Sequence, residues 1–310
     1  MAIEITRTGK NSLVLETPVM PAAGTIGFGD SYRELIQFEK LGALVTNPIT
    51  YAPWSPATGT RVVPLDAGML VHTGLPNPGL SKVMAKYRNL WNSLPLPIIV
   101  HLVASTVEHV RKSASRIDAE NSVDAIELGL NDDMTWEEAE KFVKAAVNAT
   151  EKPVLVRLPL QDAYEIAQAA AEAGAGALVV AAPPRGTARD LTTGRLVSGR
   201  IYGPLVKPMV LRVVGQLVNR IDIPIIGAGG IHSQQDARDF IEAGARAVQV
   251  DTLTWIQPKM LEYIARDLGG LVITRAAGAL GDEWHPGMGD TEKKAREEAR
   301  KKQSESKKDK

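Results

Sequence analysis

The sequence predicts an α/β protein: a (β/α)8 TIM barrel with a short N-terminal β-hairpin and a charged C-terminal tail. Three observations carry this reading. Short apolar β runs alternate with amphipathic helical segments over most of the chain, and eight such units emerge. Strands separated by helices pair in parallel through right-handed crossovers, and eight of them favour closure over an open sheet. The most telling unit spans residues 224–252, where an apolar run breaks into Gly227, Gly229 and Gly230, a helix follows, and a second apolar run begins at Ala247. With 310 residues and 44% hydrophobic content the chain can bury one large core. The expected division is a single barrel over residues 1–290 and a flexible tail over 291–310.

In chain order, Ile3 and Ile5 answered by Leu13 and Leu15 predict a hairpin turning at Gly9, Lys10 and Asn11 and covering the bottom of the barrel. Residues 19–21 form the first strand, and the spacing of Leu35, Ile36 and Phe38 predicts a helix over 32–41 stopped by Gly42. A second strand over 43–46 runs into a long Pro- and Gly-rich loop over 47–79, a length that usually marks function. Helices are expected at 80–94, 107–119, 136–149 and 163–173, alternating with strands at 97–102, 125–128, 154–158 and 177–181. Thr135 is the expected N-cap of the third of these helices and Gly174 the stop of the fourth. A second long loop, 183–208, precedes a helix at 209–220, a strand at 223–226, a helix opened by Ser233 and ending near Gly244, a strand at 247–250 and a last helix near 259–268. From Thr291 the chain carries nine basic and five acidic residues and nothing apolar larger than Ala, which reads as a solvated tail.

Composition excludes several function classes. Lys plus Arg and Asp plus Glu both count 36, so no global field favours nucleic acid, and no apolar stretch is long enough to span a bilayer. The first residues lack a basic segment followed by an apolar core, so a cytoplasmic location is expected. The absence of cysteine excludes disulfides, thiolate metal sites and any cysteine base. His109, His232 and His285 show no metal-ligand spacing, and no metal is expected. His72, in the first long loop, could serve as a base or donor; His101, at the end of the third strand, reads equally as a core histidine. Trp54 could form a lid; the other tryptophans read as packing residues.

The glycine turn at 227–230 allows close approach of backbone amides to a ligand, and amides at a helix start favour anions, so a phosphate is the expected guest. The order of motifs resembles the dihydroorotate dehydrogenase family from Thr17 to about Leu268. Pro18 to Gly24 resembles the family's first strand and flavin-edge loop, and Gly74-Leu75-Pro76-Asn77-Pro78-Gly79 its substrate loop. Ser198-Gly199 with Gly203 to Pro208 is similar to the segment ahead of the seventh strand, and Ile223 to Ile231 to the phosphate-cradling turn. The resemblance implies FMN at the strand ends, oxidation of dihydroorotate to orotate, and a homodimer or a hetero-oligomer with a related subunit. It assigns Ala22, Ala23, Gly24, Thr46, Asn47, Arg157, Gly199, Gly203, Gly229, Gly230, Asp251 and Thr252 to the cofactor, and Gly74, Leu75, Asn77 and Asn131 to an orotate-type substrate.

Against that pattern the chemistry departs. The family's base position corresponds to Asp132, a carboxylate whose ordinary pKa near 4 makes it a weak base for a carbon acid unless burial raises it; Asp132 and Asp133 could equally be solvated acids ahead of a helix. Asn47 and Arg157 stand where the family carries lysines; Arg157 keeps a positive charge that could stabilise a reduced flavin or pair with Glu127. Three ring-holding amides are replaced, at Val71, Gly129 and Ala182, and each lost hydrogen bond removes on the order of 1 kcal/mol or more. Asp251 replaces a glycine at the phosphate, where a carboxylate about 5 Å away would cost roughly 3 kcal/mol; it could point away, pair with Arg200 or hold a bridging cation. Three functions fit the sequence: an FMN oxidoreductase of dihydroorotate dehydrogenase type with altered or reduced activity on dihydroorotate, a non-catalytic family barrel acting as a partner or regulatory subunit, and a flavin-independent enzyme using Asp132, His72 or Arg157 on a small anionic substrate.

Overall fold

Eight short apolar runs pair in parallel in the computed structural model, which describes residues 2–8 and 12–276. In chain order they are β3 (Val19–Pro21), β4 (Leu44–Val45), β7 (Ile98–Val103), β8 (Ala125–Gly129), β9 (Val154–Arg157), β10 (Ala177–Val180), β13 (Ile225–Ala228) and β14 (Ala247–Val250). Their order in the sheet is β3-β14-β13-β10-β9-β8-β7-β4. The two ends meet where the Gly42 N–H donates to the Val19 carbonyl at 2.8 Å. Gly42 is required there, because a Cβ would lie 2.1 Å from the Thr17 carbonyl oxygen. The sheet is thereby a closed barrel, as the alternating sequence pattern predicts.

Helices cover it: α1 (Leu80–Asn92), α2 (Val107–Asp118), α3 (Trp136–Val147), α4 (Ala163–Glu172), α5 (Lys207–Val218), α6 (Gln234–Glu242), the short α7 (Leu253–Ile256) and α8 (Met260–Ala276). Side-chain caps start three of them. Thr106 caps α2, Thr135 and Glu138 form a reciprocal capping box on α3, and Ser233 caps α6, each supplying acceptors to otherwise orphan N–H groups. The expected bounds hold to within a few residues, although α5 begins at Lys207, two residues before the expected start, and α7 is an additional turn.

Two expectations are corrected. No helix forms over 32–41; the segment is a series of turns with a 3-10 turn at Phe38–Lys40. Its backbone is satisfied from outside: Glu262 of α8 accepts from the Gln37 N–H at 3.1 Å and pairs with Lys40 at 2.9 Å. Ile36, Phe38 and Leu41 are still buried, so the apolar spacing reports burial without helix. The two long loops are not structureless either. The first contains the hairpin β5 (Val62–Leu65) and β6 (Gly68–Val71), the second the hairpin β11 (Arg185–Arg189) and β12 (Leu196–Tyr202). They join edge to edge in one antiparallel sheet of order β11-β12-β6-β5, which gives the backbone polar groups of both excursions partners.

Strand alternation divides the barrel interior into layers. Successive side chains point to opposite faces. Met20, Val45, Ile99, Leu155, Val179 and Ile226 point inward and make an apolar floor together with Ile5, Leu13 and Leu15 from the N-terminal pair β1 (Ile3–Glu4) and β2 (Val14–Leu15). That pair is antiparallel, with Ile3 opposite Leu15, and it plugs the floor as expected. Its proposed turn at residues 9–11, and the tail at 291–310 with His285 and Trp284 ahead of it, lie outside the described residues.

Candidate functional site

Above the apolar floor four of the next inward positions carry the large polar side chains. His101 on β7, Glu127 on β8, Arg157 on β9 and Gln249 on β14 form one hydrogen-bonded cluster buried in the barrel. Glu127 Oε1 meets His101 Nδ1 at 2.8 Å and accepts from Arg157 Nη1 at 3.3 Å, while its Oε2 accepts from the Gln249 amide. Arg157 also donates to Gln249 Oε1 at 2.9 Å and to the Ala181 carbonyl at 3.4 Å. Burial pushes the Glu127 pKa upward, but the His101 hydrogen bond, the positive field of His101 and Arg157, and the Gln249 amide outweigh it and hold the carboxyl at about 2, against an ordinary 4.5. Glu127 is therefore an anion that only accepts, so the proton in its bond with His101 is on Nδ1.

A cavity of about 260 Å3 opens over this cluster at the C-terminal ends of the strands, where barrels of this class place their sites. Of the residues singled out from sequence, Ala22, Ala23, Gly24, Leu75, Asn47, Asn131, Arg157 and Asp251 line it. So do Val71, Gly129 and Ala182, where the resemblance leads one to expect amides, together with His101, Arg200, Tyr202 and Trp255. Asn47 holds the Gly27 N–H through its side chain at 3.2 Å, and Asn131 donates to the Ala104 carbonyl at 2.9 Å.

The remaining candidates do not line the cavity. Asp132 is gripped by two arginines: Arg200 binds both its oxygens, at 3.0 and 2.7 Å, and Arg185 Nε adds a bond at 2.9 Å. His72 follows β6, and alternation sends it away from the cavity that Val71 and Thr73 face. Thr46 is buried and accepts from the His101 N–H at 3.1 Å. Asn77 organises its own loop, accepting from the Thr50 and Gly79 N–H groups at 3.2 and 3.0 Å. Gly74, Gly199 and Gly203 are backbone necessities, since a Cβ on them would lie 2.6 Å from Ala57 N, 2.5 Å from the Val71 carbonyl oxygen and 2.4 Å from the Ala67 carbonyl oxygen. Trp54 makes a backbone bridge with Asn77 and does not line the cavity. Among the described residues no group of three or more His, Cys, Asp or Glu is placed to hold a metal ion, and no helix is long and apolar enough to cross a membrane.

Comparison with known proteins matches residues 8–272 to the family described as dihydroorotate dehydrogenase. The chain is 35% identical to the dihydroorotate dehydrogenase B (NAD(+)) catalytic subunit of Trichlorobacter lovleyi over 86% of its own length and 92% of that protein. The proteins of the same description from Geobacter sulfurreducens and Bacillus cytotoxicus are 35% and 33% identical, over 83% and 84% of this chain and 89% of each of them. The chain belongs to the dihydroorotate dehydrogenase family. The family match over residues 8–272 takes in every strand of the barrel.

Within that barrel the two ends of the FMN position behave differently. On the ring side, Ala22, Ala23, Gly24, Asn47 and Arg157 still line the cavity. The phosphate side does not fit a phosphate. The Thr252 N–H donates to Asp251 Oδ1 at 2.6 Å and the Thr252 hydroxyl to the same oxygen at 3.2 Å, so a carboxylate of the chain occupies that amide. His232 Nε2 is 2.9 Å from the Thr252 hydroxyl. Gly229 and Gly230 adopt φ of 122° and 71°, yet neither lines the cavity, and a Cβ on Gly230 would lie 2.3 Å from Lys207 N. Burial works against the Lys207 charge, but Lys207 Nζ donates to Asp236 at 2.6 Å and to Asp239, and these two carboxylates raise its pKa and pair with its charge. Burial raises the pKa of Asp251, and burial with the Asp251 charge raises that of Tyr202.

Sequence reasoning anticipated the Arg157–Glu127 pair and the position of the cavity, and missed the cluster as a unit. The missing signal was parity. His101, Glu127, Arg157 and Gln249 each lie two residues beyond an inward apolar position, and a polar residue at that step on four strands marks a polar layer.

Proposed function

We propose that this dihydroorotate dehydrogenase-family barrel binds a small planar anion of the orotate type in its strand-end cavity and does not hold FMN at the family's phosphate seat. The observation that carries this is the Asp251 carboxylate on the Thr252 amide. A phosphate brought there would have to displace a fixed carboxylate or stand beside it, at a cost of roughly 3 kcal/mol for charges about 5 Å apart. The cavity suits a single ring, since its 260 Å3 falls below the roughly 300–1,000 Å3 usual for larger ligands. Arg157 and Arg200 both line it, and their positive charge favours a small anion. Proton-transfer chemistry on such a ring needs no resident flavin.

A second reading follows from the ring-side residues, Ala22, Ala23, Gly24, Asn47 and Arg157, which keep the lining of a flavin ring. It is an FMN oxidoreductase with altered or reduced activity on dihydroorotate, assembled with a second subunit as the designation of its relatives as catalytic subunits suggests. One experiment separates the two. The purified protein is examined for visible flavin bands, then titrated with FMN by fluorescence and with orotate by calorimetry. The first reading expects a colourless protein, heat with orotate, and FMN affinity that rises at least about tenfold in Asp251→Gly, in line with the charge cost above. Flavin bands that co-purify and bleach anaerobically with dihydroorotate would sink it and establish the second.

A further inference from the structure

We propose that His101, oriented by Glu127, is the general base of this cavity. The inference rests on the reading of the cavity as an orotate-type site and assigns it a chemistry. Three observations converge. The buried Glu127 carboxylate accepts the Nδ1 proton at 2.8 Å, so that in the neutral ring the lone pair is on Nε2. Nε2 has no hydrogen-bond partner among the described residues, and His101 lines the cavity. Gly129 makes the room: a Cβ on residue 129 would lie 2.6 Å from His101 Nε2. The loss of a side chain at 129 and the imidazole at 101 are thus two halves of one arrangement, in which the ring fills the space that a larger residue would take.

A carboxylate that fixes the tautomer and supports the imidazolium formed on the opposite nitrogen is the general arrangement of an oriented imidazole base. The charged and titratable groups around it are Glu127 on β8, Arg157 on β9, Arg200 and Tyr202 on β12, and Asp251 after β14; Asn47 after β4 is neutral. In the step assigned here, His101 Nε2 takes a proton from a ring carbon next to a carbonyl. The C–H electron pair becomes the enolate, whose charge on oxygen is met by Arg157 or Arg200. Imidazolium charge is met by Glu127, and return of a proton from Nε2 restores the ring. Nothing is oxidised or reduced, and no co-reactant is consumed; in heavy water the carbon acquires deuterium. Asp132, tied to Arg185 and Arg200, is left a structural role, and Glu127 acts as a positioning residue.

The test begins without substrate. Nitrogen-15 NMR of histidine-labelled protein at neutral pH should show His101 with its proton on Nδ1 and a bare Nε2; a proton found on Nε2 alone overturns the proposal whatever the cavity binds. Dihydroorotate in heavy water is then followed by proton NMR. Exchange at the carbon next to the carbonyl should fall about 100-fold or more in His101→Gln, while orotate binding measured by calorimetry stays within about threefold, the range left to a lost neutral contact. In Glu127→Gln exchange falls and the low-pH limb of its rate profile moves, a change that a merely structural carboxylate would not produce. Equal exchange in wild type and His101→Gln, or none in a wild type that binds orotate, overturns the proposal. Absence of orotate binding sinks the substrate reading alone, and the bare Nε2 then still supports His101 as a base for a different ligand.

Discussion

Glu127 shows how one residue sets both stability and chemistry. Its carboxyl is completely buried and held at about 2, so the anion is bound more tightly in the folded chain than in the unfolded one. The sign follows: the stabilisation is present above the ordinary value of 4.5 and is lost as pH falls from there towards 2. The unfolding free energy from urea titration should therefore drop through that window by roughly 3 kcal/mol in the wild type, and Glu127→Gln should flatten the drop while lowering stability at neutral pH. The variant is expected to be costly because it leaves Arg157 buried without its anion. At this scale the sequence was only partly legible. Arg157 and Glu127 are readable as partners because they lie on neighbouring strands. Gln249 and His101 are ordinary residues until barrel closure brings β14 and β7 to the same layer. The orientation of Asp251 is equally hidden, because the same sequence permits a carboxylate facing Arg200 or one turned onto its own neighbour's amide.

At the scale of elements, Asp132 is a strap. It ties the loop after β8 to Arg185 and Arg200 on the β11–β12 hairpin, using both oxygens against Arg200. Two-point binding of this kind is stronger than a single surface pair, and its loss should cost about 1–2 kcal/mol locally. Asp132→Asn is expected to speed tryptic cleavage at the exposed Arg189 and Arg195 of the hairpin while leaving the unfolding midpoint nearly unchanged; cleavage at the wild-type rate would show that the strap is not needed. The hairpins themselves were not legible as strands. They lie in segments that read as long loops, and the pairing that joins them is between β6 and β12, segments more than a hundred residues apart in sequence. The helices were legible because caps and periodicity are local. Residues 32–41 are the exception, where apolar spacing was present but Glu262, from the far end of the chain, supplied the backbone partner.

Across the whole molecule, the barrel separates what folds from what reacts. The hairpin plug and the inward apolar residues hold one end, and the cavity occupies the other. Leu15→Ala removes a side chain that is 1% exposed in the floor and should cost about 2–5 kcal/mol. Orotate affinity should stay unchanged in the fraction that remains folded; a matching loss of affinity would show that the two ends are coupled. The architecture was the most legible level, since alternation of strands and helices is repeated eight times and tolerates local errors. Asp251 has a further effect at this scale. A protein that closes its anion seat only when a cofactor arrives gains stability by mass action and weakens when that cofactor is scarce. Here the chain's own carboxylate holds the Thr252 amide, so under the proposed function folding yields a finished interior at once, and stability is expected not to change with the supply of flavin.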